Sequence, residues 1–274
     1  MTDAGAPPLA LYDVHCHVHG EEFDADRAEV LDRAARAGLR FVLAMGEGLD
    51  DNRRVLEAAA GHPMVLPCLG QHPDRATSEP VGPVLEQIRV HAGSLAAVGE
   101  VGLDFWIAKG PEERERQREA LEQLVALALE LDLPLSVHSR SAGHQAIDLL
   151  AACGARRVCL HAFDGAAKHA ARAVELHGYL FSVPPSVVRS PQKQKLVRRL
   201  PLSSLLLETD SPVLGPDREA RNVPQNITVA ADAISGIKGC AVEEVERICG
   251  ENARRLFRLD RFSGSRRGDR FRAP

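Results

Sequence analysis

The sequence predicts a single-domain α/β fold, a (β/α)8 TIM barrel. Eight short runs rich in Val, Leu or Ile alternate with stretches of helical periodicity, without a linker-like break. Most of these runs lack strict alternation of polar and apolar residues, which is typical of parallel strands buried on both faces. A doubly wound open sheet would need a glycine-rich phosphate-binding turn after its first strand. The sequence has DVHCHVHG at that point, so the closed barrel is favoured.

The predicted strands follow one another along the chain, separated by the predicted helices. They span residues 9–15, 39–45, 64–69, 95–101, 133–138, 157–161, 178–183 and 204–209. Helix starts are marked by Pro111, followed by Glu112 and Glu113 in the first turn, and by the pair Ser190-Pro191. Helix ends are predicted at five glycines: Gly38, Gly61, Gly93, Gly154 and Gly178.

The barrel is expected to occupy residues 9–260 as one domain. Residues 1–8 then form an N-terminal arm. The last segment, 261–274, reads RFSGSRRGDRFRAP and is predicted to be a flexible basic tail, because it is rich in Arg, Ser and Gly.

Composition excludes several classes of function. The 274 residues include 34 Lys+Arg and 38 Asp+Glu, a net charge of −4, which argues against a broad basic surface for nucleic acid or anionic lipid. The chain contains 8 Phe, 2 Tyr and 1 Trp, too few to indicate a base-stacking platform for single strands. No glycine-rich dinucleotide motif follows the first strand, and no organic cofactor is expected.

The chain is also expected to work in a reducing compartment and off the membrane. Its six cysteines are scattered and include no C-x-x-C motif. The least polar long stretch, 121–137, is interrupted by charged residues and a proline, so it should not cross a bilayer. The N-terminal residues lack the pattern of a secretory signal. We expect a cytoplasmic location; a nuclear pool stays open, although the arginines of the tail make a poor nuclear signal.

Metal-binding side chains recur where the predicted strands end, the edge at which (β/α)8 barrels carry their functional groups. The first strand ends in His15-Cys16-His17. Because side chains alternate along a strand, the two histidines share a face and Cys16 points away. A single H-x-H or a lone histidine is usually structural, but the shared placement at strand ends favours a metal site. The remaining candidates are Glu100, His138, His161 and Asp210.

Six ligands exceed the three or four of one catalytic zinc site, so two divalent ions per chain are predicted. In one arrangement His15, His17 and Asp210 hold the first ion, His138 and His161 hold the second, and Glu100 bridges them. Asp210 is the predicted general base, since nearby cations keep it ionised. Zn, Mg and Mn all stay open as the metal.

Ordered motifs over about residues 10–260 resemble the TatD family of metal-dependent deoxyribonucleases: HCH, GEVGLD, VHSR, LHAFDG, ETDSP and ENARRLF. Within that family, VLPCLGQHP, FSVPPS and RNVPQN are similar to the third vertebrate-type subgroup. The resemblance assigns the metal ligands to the same six residues. It implies a metal-dependent hydrolase barrel that cleaves DNA, often as a 3′→5′ exonuclease, with abasic-site cleavage as a further activity. DNA ends, single strands or abasic sites would be the substrate; no protein partner is indicated.

Two positions refine the resemblance. Many related barrels bridge their metals with a carboxylated lysine on strand four, where this chain has Glu100. Bacterial family members often place a second histidine after G-x-H-P, where this chain has Asp74. His72 is retained and is a candidate for binding the substrate phosphate or leaving group.

Other residues are candidates for supporting roles. Arg140 could bind a substrate phosphate or anchor a loop in a salt bridge. Asp104 and Glu208 are expected to orient metal-binding histidines. Trp106 could stack a base, although a lone tryptophan more often packs in the fold.

Two other functions stay open. One is an amidohydrolase-like enzyme acting on small esters, lactones or amides, because this fold does not fix the substrate. The other is a non-catalytic, metal-stabilised interaction scaffold.

Overall fold

The computed structural model describes residues 10–263, which contain eight parallel strands in sequential order. The strands are β1 (Leu11–Cys16), β2 (Leu39–Met45), β3 (Val65–Leu69), β4 (Ala97–Gly102), β5 (Leu135–His138), β6 (Val158–Leu160), β7 (Leu180–Val183) and β8 (Leu205–Leu207). Each starts and ends within a few residues of its predicted run. The prediction of a (β/α)8 barrel is confirmed.

Helices follow the strands and cover the outside of the barrel. They are α1 (Arg27–Arg36), α2 (Leu49–Gly61), α3 (Pro73–Ala76), α4 (Gly82–His91), α5 (Pro111–Glu130), α6 (Gly143–Ala152), α7 (Ala167–His177), α8 (Pro191–Arg199), α9 (Ile227–Lys238) and α10 (Val242–Phe257). Two predicted starts are observed: Pro111 opens α5, and the Ser190 side chain accepts a hydrogen bond from the Lys193 backbone N–H at the start of α8.

The barrel closes between β1 and the residues that follow β8. Asp210 donates its backbone N–H to the carbonyl of His15 (2.8 Å), and His17 donates to the carbonyl of Ser211 (2.7 Å). The buried carboxylate of Asp13 accepts from the backbone N–H of Thr209 (2.9 Å) and from its hydroxyl (2.5 Å). These bonds bring the C-terminal edge of β1 against the ETDSP segment.

A large apolar core lies between strands and helices, with a second apolar cluster around Tyr12 and Phe41 that includes residues of α10. Phe262 belongs to that second cluster and is buried within a short 3-10 helix, Leu259–Phe262. The ordered fold therefore continues two residues past the predicted boundary at 260, because the Phe262 ring packs on the barrel. The predicted arm, 1–8, and the tail from residue 264 onward lie outside the described residues.

Across residues 10–263, none of the helices combines the length and the apolar character that a bilayer span requires.

Candidate metal centre and active-site cavity

A cavity of about 900 Å³ opens at the C-terminal ends of the strands. Its lining includes Glu100 of β4 and His138 of β5, together with three residues that follow strands β1, β6 and β8: His17, His161 and Asp210. The chemistry-bearing side chains that the sequence places at strand ends thus face one space.

Four donor atoms converge on one side of this cavity. His15 Nε2 lies 3.4 Å from Glu100 Oε2 and 3.7 Å from Asp210 Oδ1. His17 Nε2 lies 3.5 Å and 3.4 Å from the same two oxygens. Two imidazole nitrogens and two carboxylate oxygens at these separations form a first donor set that could hold a divalent cation.

A second donor set is built around the other oxygen of the same glutamate. Glu100 Oε1 lies 2.8 Å from His138 Nδ1 and 2.9 Å from His161 Nε2, and these two nitrogens are 3.2 Å apart. The carboxylate of Glu100 therefore presents one oxygen to each set.

The hydrogen bonds of His15 and His17 leave one nitrogen of each ring available to a divalent metal. His17 Nδ1 lies 3.1 Å from the carbonyl of Met45, an acceptor only, so Nδ1 carries the proton and Nε2 is the nitrogen left to bind a metal. His15 Nδ1 is held by the Ser136 hydroxyl at 3.0 Å, while its buried Nε2 has no hydrogen-bond partner among residues 10–263. A buried polar atom without a partner, aimed at two carboxylates, is expected of a ligand atom.

The charges of the two sets stabilise each other. Burial alone would raise the pKa of Glu100, but the neighbouring histidines, His161 and His15 foremost, hold that pKa well below its usual range. The pKa of Asp210 is lowered in the same way, with His17 donating to it. Both carboxyl groups are therefore ionised at neutral pH and are available as ligands.

The surroundings raise the pKa of two of the histidines and lower the pKa of a third. Burial disfavours the charged form of His17 and His138, yet the carboxylates beside them raise the pKa of each to about 10. Burial and the neighbouring His15 lower the pKa of His161.

Two glycines allow strands to approach β4 closely enough to build the site. A Cβ on Gly70 would lie 2.4 Å from the carbonyl oxygen of Glu100. A Cβ on Gly102, whose φ is +150°, would lie 2.0 Å from the carbonyl oxygen of His138. Side chains at these positions would push β3 and β5 away from the residues that carry the ligands.

Two carboxylates orient the histidines of the second set. Asp104 Oδ2 lies 3.2 Å from His138 Nε2, and Asp104 Oδ1 accepts from the backbone N–H of Trp106 and Ile107. Fully buried Glu208 accepts from the Ser182 hydroxyl (2.6 Å) and the Ala162 backbone N–H (2.9 Å), and its Oε2 is 3.8 Å from His161 Nδ1.

Burial raises the pKa of Glu208 to about 7. This carboxyl group is therefore protonated more readily than that of an exposed glutamate.

The model of the family described as "TatD related DNase" matches residues 12–258. This chain belongs to that family. It is 42% identical over 264 residues to "Deoxyribonuclease TATDN3" of Homo sapiens, covering 92% of this chain and 96% of the human protein. It is 31% identical over 258 residues to "Uncharacterized metal-dependent hydrolase YabD" of Bacillus subtilis, covering 91% of this chain and 100% of the bacterial one.

A solved structure agrees with the fold. That of YjjV, a TatD homolog from Escherichia coli, superposes with a TM-score of 0.83 at 27% identity, covering 90% of this chain and 98% of that one. The resemblance predicted from the motifs is confirmed, and so is the prediction of a hydrolytic enzyme.

The predicted substrate residues of this TatD-family chain lie in the same cavity. The His72 ring is 4.5 Å from the His138 ring, and its Nε2 is 3.7 Å from Glu100 Oε1. Asp74 holds His72 Nδ1 at 2.7 Å. The guanidinium of Arg140 lies 5.0 Å from the centre of the Trp106 ring. The loop-anchoring ion pair considered for Arg140 is absent among residues 10–263.

Two residues of the site were not predicted. Asp13 closes the barrel beneath the first donor set; the signal was available, because Asp13 shares strand parity with His15 and His17. Lys193 lines the cavity from α8; it lies within the motif SPQKQKLV, but nothing in that motif distinguishes it from the exposed Lys195.

Proposed function

We propose that this TatD-family enzyme is a divalent-metal-dependent DNA phosphodiesterase that uses two metal ions, a 3′→5′ exodeoxyribonuclease with abasic-site endonuclease activity. The observation that supports it most is Glu100, whose two carboxylate oxygens each face a separate donor set. The matched family is one of DNases, and the human relative is named as a deoxyribonuclease.

The six ligands divide between two ions in this proposal. His15, His17 and Asp210 would hold one ion, His138 and His161 the other, and Glu100 both. When bound, Zn, Mg or Mn ions supply positive charge that polarises a phosphoryl oxygen, acidifies water and stabilises the leaving oxygen.

The chain's own residues supply the proton transfer and the orientation. Asp210 is ionised, sits at the cavity wall and accepts the proton of the attacking water. Asp104 holds the ring of His138, and Glu208 places a carboxyl group 3.8 Å from Nδ1 of His161. Burial of Glu100 and His15 excludes bulk water beneath the reacting phosphate, which strengthens each electrostatic contact there.

The cavity favours the end of a strand as substrate. At about 900 Å³ it lies within the range of sites for small ligands, so it admits a terminal nucleotide more readily than a length of duplex. An abasic site would present a phosphodiester without the bulk of a base. We keep the cytoplasm as the expected location, and we extend the expected domain, 9–260, to include Phe262.

The test follows nucleotide release from a 5′-labelled single strand and cleavage of an abasic duplex, with Mg²⁺, Mn²⁺ and Zn²⁺ compared. Glu100→Ala and Asp210→Asn should each abolish metal-dependent cleavage. Asp32→Asn, on the exposed side of α1, is the matched control and should retain the wild-type rate. Wild-type rates in either site variant, with folding intact, would disprove the assignment.

The same preparations separate the alternatives. Hydrolysis of lactones or dihydropyrimidines without cleavage of DNA would instead indicate an amidohydrolase-like activity. Metal content well below one ion per chain would favour the scaffold. The complete donor set favours an enzyme over a scaffold.

A further inference from the structure

Lys193 places a cation in the wall of the active-site cavity. It lies in the first turn of α8, and its side chain is only 9% exposed. Its Nζ donates to the carbonyl oxygen of Ala162 at 2.8 Å, and the residue lines the cavity that holds both donor sets. An ammonium group has three donors, so this carbonyl leaves two without a protein acceptor among residues 10–263.

A lysine this deeply buried normally has a carboxylate partner, because removing an ammonium group from water is costly. Within the part of the chain that the structure describes, no carboxylate oxygen lies within the 4.0 Å of an ion pair with Lys193. Burial lowers the pKa of Lys193; the nearby carboxylates of Glu208, Asp210 and Asp164 oppose that shift without contacting the ammonium group. The cation is held at the wall with its remaining donors open to an anion in the cavity.

Arg140 contributes a second cation to the same cavity. Its guanidinium lies over the Trp106 ring and forms no ion pair among residues 10–263. Two further arginines of the cavity are already neutralised, Arg54 by Asp24 and Arg75 by Glu79.

The uncommitted cations therefore follow β5 and β7. Asp164, which follows β6, is the carboxylate on their side of the cavity and accepts from the Ser141 backbone N–H, whereas both Glu47 and Asp51 line the cavity after β2. This uneven distribution of charge favours an anion on the β5–β7 side.

We propose that Lys193 Nζ binds a non-bridging oxygen of a backbone phosphate next to the scissile phosphodiester, with Arg140 on the same side of the cavity. This inference rests on the proposed function, and it gives the β5–β7 side of the cavity the role of holding the substrate strand. Lys193 is a substrate-binding residue in this account, because it touches the DNA but not the bond that breaks.

Lys193 has a competing structural role that the test must separate. Ala162 has a φ of +42° and follows the ligand His161, so the bond from Lys193 also anchors the backbone beside that ligand. A purely structural lysine would lower turnover of every substrate by the same factor. A phosphate-binding lysine would lower it only where the phosphate carries its charge.

The experiment therefore removes the charge from each partner in turn. Short single strands carry one neutral methylphosphonate, scanned through the positions flanking the cleaved bond, and kcat/KM is measured for wild type, Lys193→Met and Lys193→Arg. Lys195→Met, an exposed lysine of the same helix, is the matched control. We expect about a tenfold or larger loss from Lys193→Met on the all-phosphate strand, the size of a lost charged hydrogen bond.

At one position, the methylphosphonate should lower kcat/KM of the wild type by about the same factor as the Lys193→Met substitution does. The same methylphosphonate should not lower kcat/KM of Lys193→Met below its value on the all-phosphate strand. Lys193→Arg should keep most of the wild-type rate and its sensitivity to that position, and Lys195→Met should match wild type. If the loss from the methylphosphonate and the loss from Lys193→Met multiply at every scanned position, the inference is overturned. The proposed DNase activity would be unaffected by that result.

Binding measurements cover the case in which wild type cleaves no DNA, which would refute the proposed function itself. Calorimetry then compares thymidine 5′-monophosphate with thymidine in the metal-loaded proteins. An about tenfold weaker Kd for the monophosphate in Lys193→Met, with thymidine unchanged, would support the phosphate site. Equal affinities of wild type and Lys193→Met for the monophosphate would overturn it.

Discussion

Replacing Asp13 with alanine is expected to loosen the closure between β1 and the segment after β8. The carboxylate is fully buried and accepts from the Thr209 backbone N–H at 2.9 Å and the Thr209 hydroxyl at 2.5 Å. Thr209 immediately precedes Asp210, whose own backbone has a φ of +54° and bonds to the carbonyl of His15. The substitution therefore acts on stability and on the position of a metal ligand together.

The magnitude follows from the bonds that are lost. In Asp13→Ala the Thr209 N–H becomes a buried donor without an acceptor, which costs about 1–3 kcal/mol, and the hydrogen bond between the Asp13 carboxyl group and the Thr209 hydroxyl, worth about 0.5–1.5 kcal/mol, disappears. The Thr209 hydroxyl keeps Ser211 Oγ at 3.0 Å, and removing a buried carboxylate returns part of the cost. We expect a net loss of about 2–4 kcal/mol, or a Tm lower by about 3–7 °C for a chain of this size.

The assay is thermal unfolding in chelator, so that metal binding does not contribute. Asp13→Asn is the conservative comparison, since its amide can accept from the backbone and donate to the hydroxyl. Asp32→Ala, on the exposed side of α1, should change stability by no more than about 0.5 kcal/mol. If the Tm of Asp13→Ala lies within about 2 °C of the wild-type Tm, the reasoning is refuted.

The pH dependence of the same variants gives a second, independent readout. Burial raises the pKa of Asp13 to about 8, from 3.8 when unperturbed. The folded chain then keeps a proton that the unfolded chain releases, so this group stabilises the fold at low pH and loses that contribution as pH rises towards 8. Asp13→Asn lacks the titration, and its deficit relative to wild type should shrink between pH 6 and 8. A deficit that grows with pH would contradict the assigned shift.

Three further outcomes are expected. Gly102→Ala should lower the free energy of unfolding by about 3 kcal/mol or more, since its Cβ would lie 2.0 Å from the carbonyl oxygen of His138; an unchanged Tm would contradict this. Glu208→Gln should weaken metal binding by calorimetry about tenfold or more, because the amide cannot accept from both Ser182 and Ala162. A metal present at a thousandfold excess over its Kd stabilises the fold by about 4 kcal/mol, so removing it should lower Tm. Adding the metal back at neutral pH should restore Tm and release protons into the buffer.

Most of the fold could be predicted because parallel strands buried on both faces leave strong apolar runs in the sequence. The ligands could be predicted because the barrel brings every strand end to one edge, so that distant motifs become neighbours. The predicted strand ends were less accurate where the backbone leaves the extended conformation. The last strand ends at Leu207, three residues before Asp210, which lies in a left-handed turn.

The features that sequence reasoning missed depend on tertiary contacts between segments that are distant in the sequence. Lys193 is one of several charged residues in α8, and only the packing of that helix turns it into the cavity. The stacking of Arg140 on Trp106 joins two loops whose conformations no short pattern encodes. Phe262 was assigned to a tail because its neighbours are polar, yet its ring is only 4% exposed.

The net charge of −4 and the proposed DNA substrate are reconciled by the composition of the cavity. Seven carboxylates line the cavity: Glu21, Glu22, Glu47, Asp51, Glu100, Asp164 and Asp210. The cationic side chains are Arg54, Arg75, Arg140 and Lys193, joined by His17 and His138 while no metal is bound. Without metal such a cavity has no excess of positive charge to attract a polyanion, so affinity for DNA depends on the bound ions and on the uncommitted Lys193 and Arg140. Two phosphate contacts give a slope of log K against log salt of only about −1.4 for a single strand. A steep slope, or tight binding in chelator, would place the DNA on some other surface.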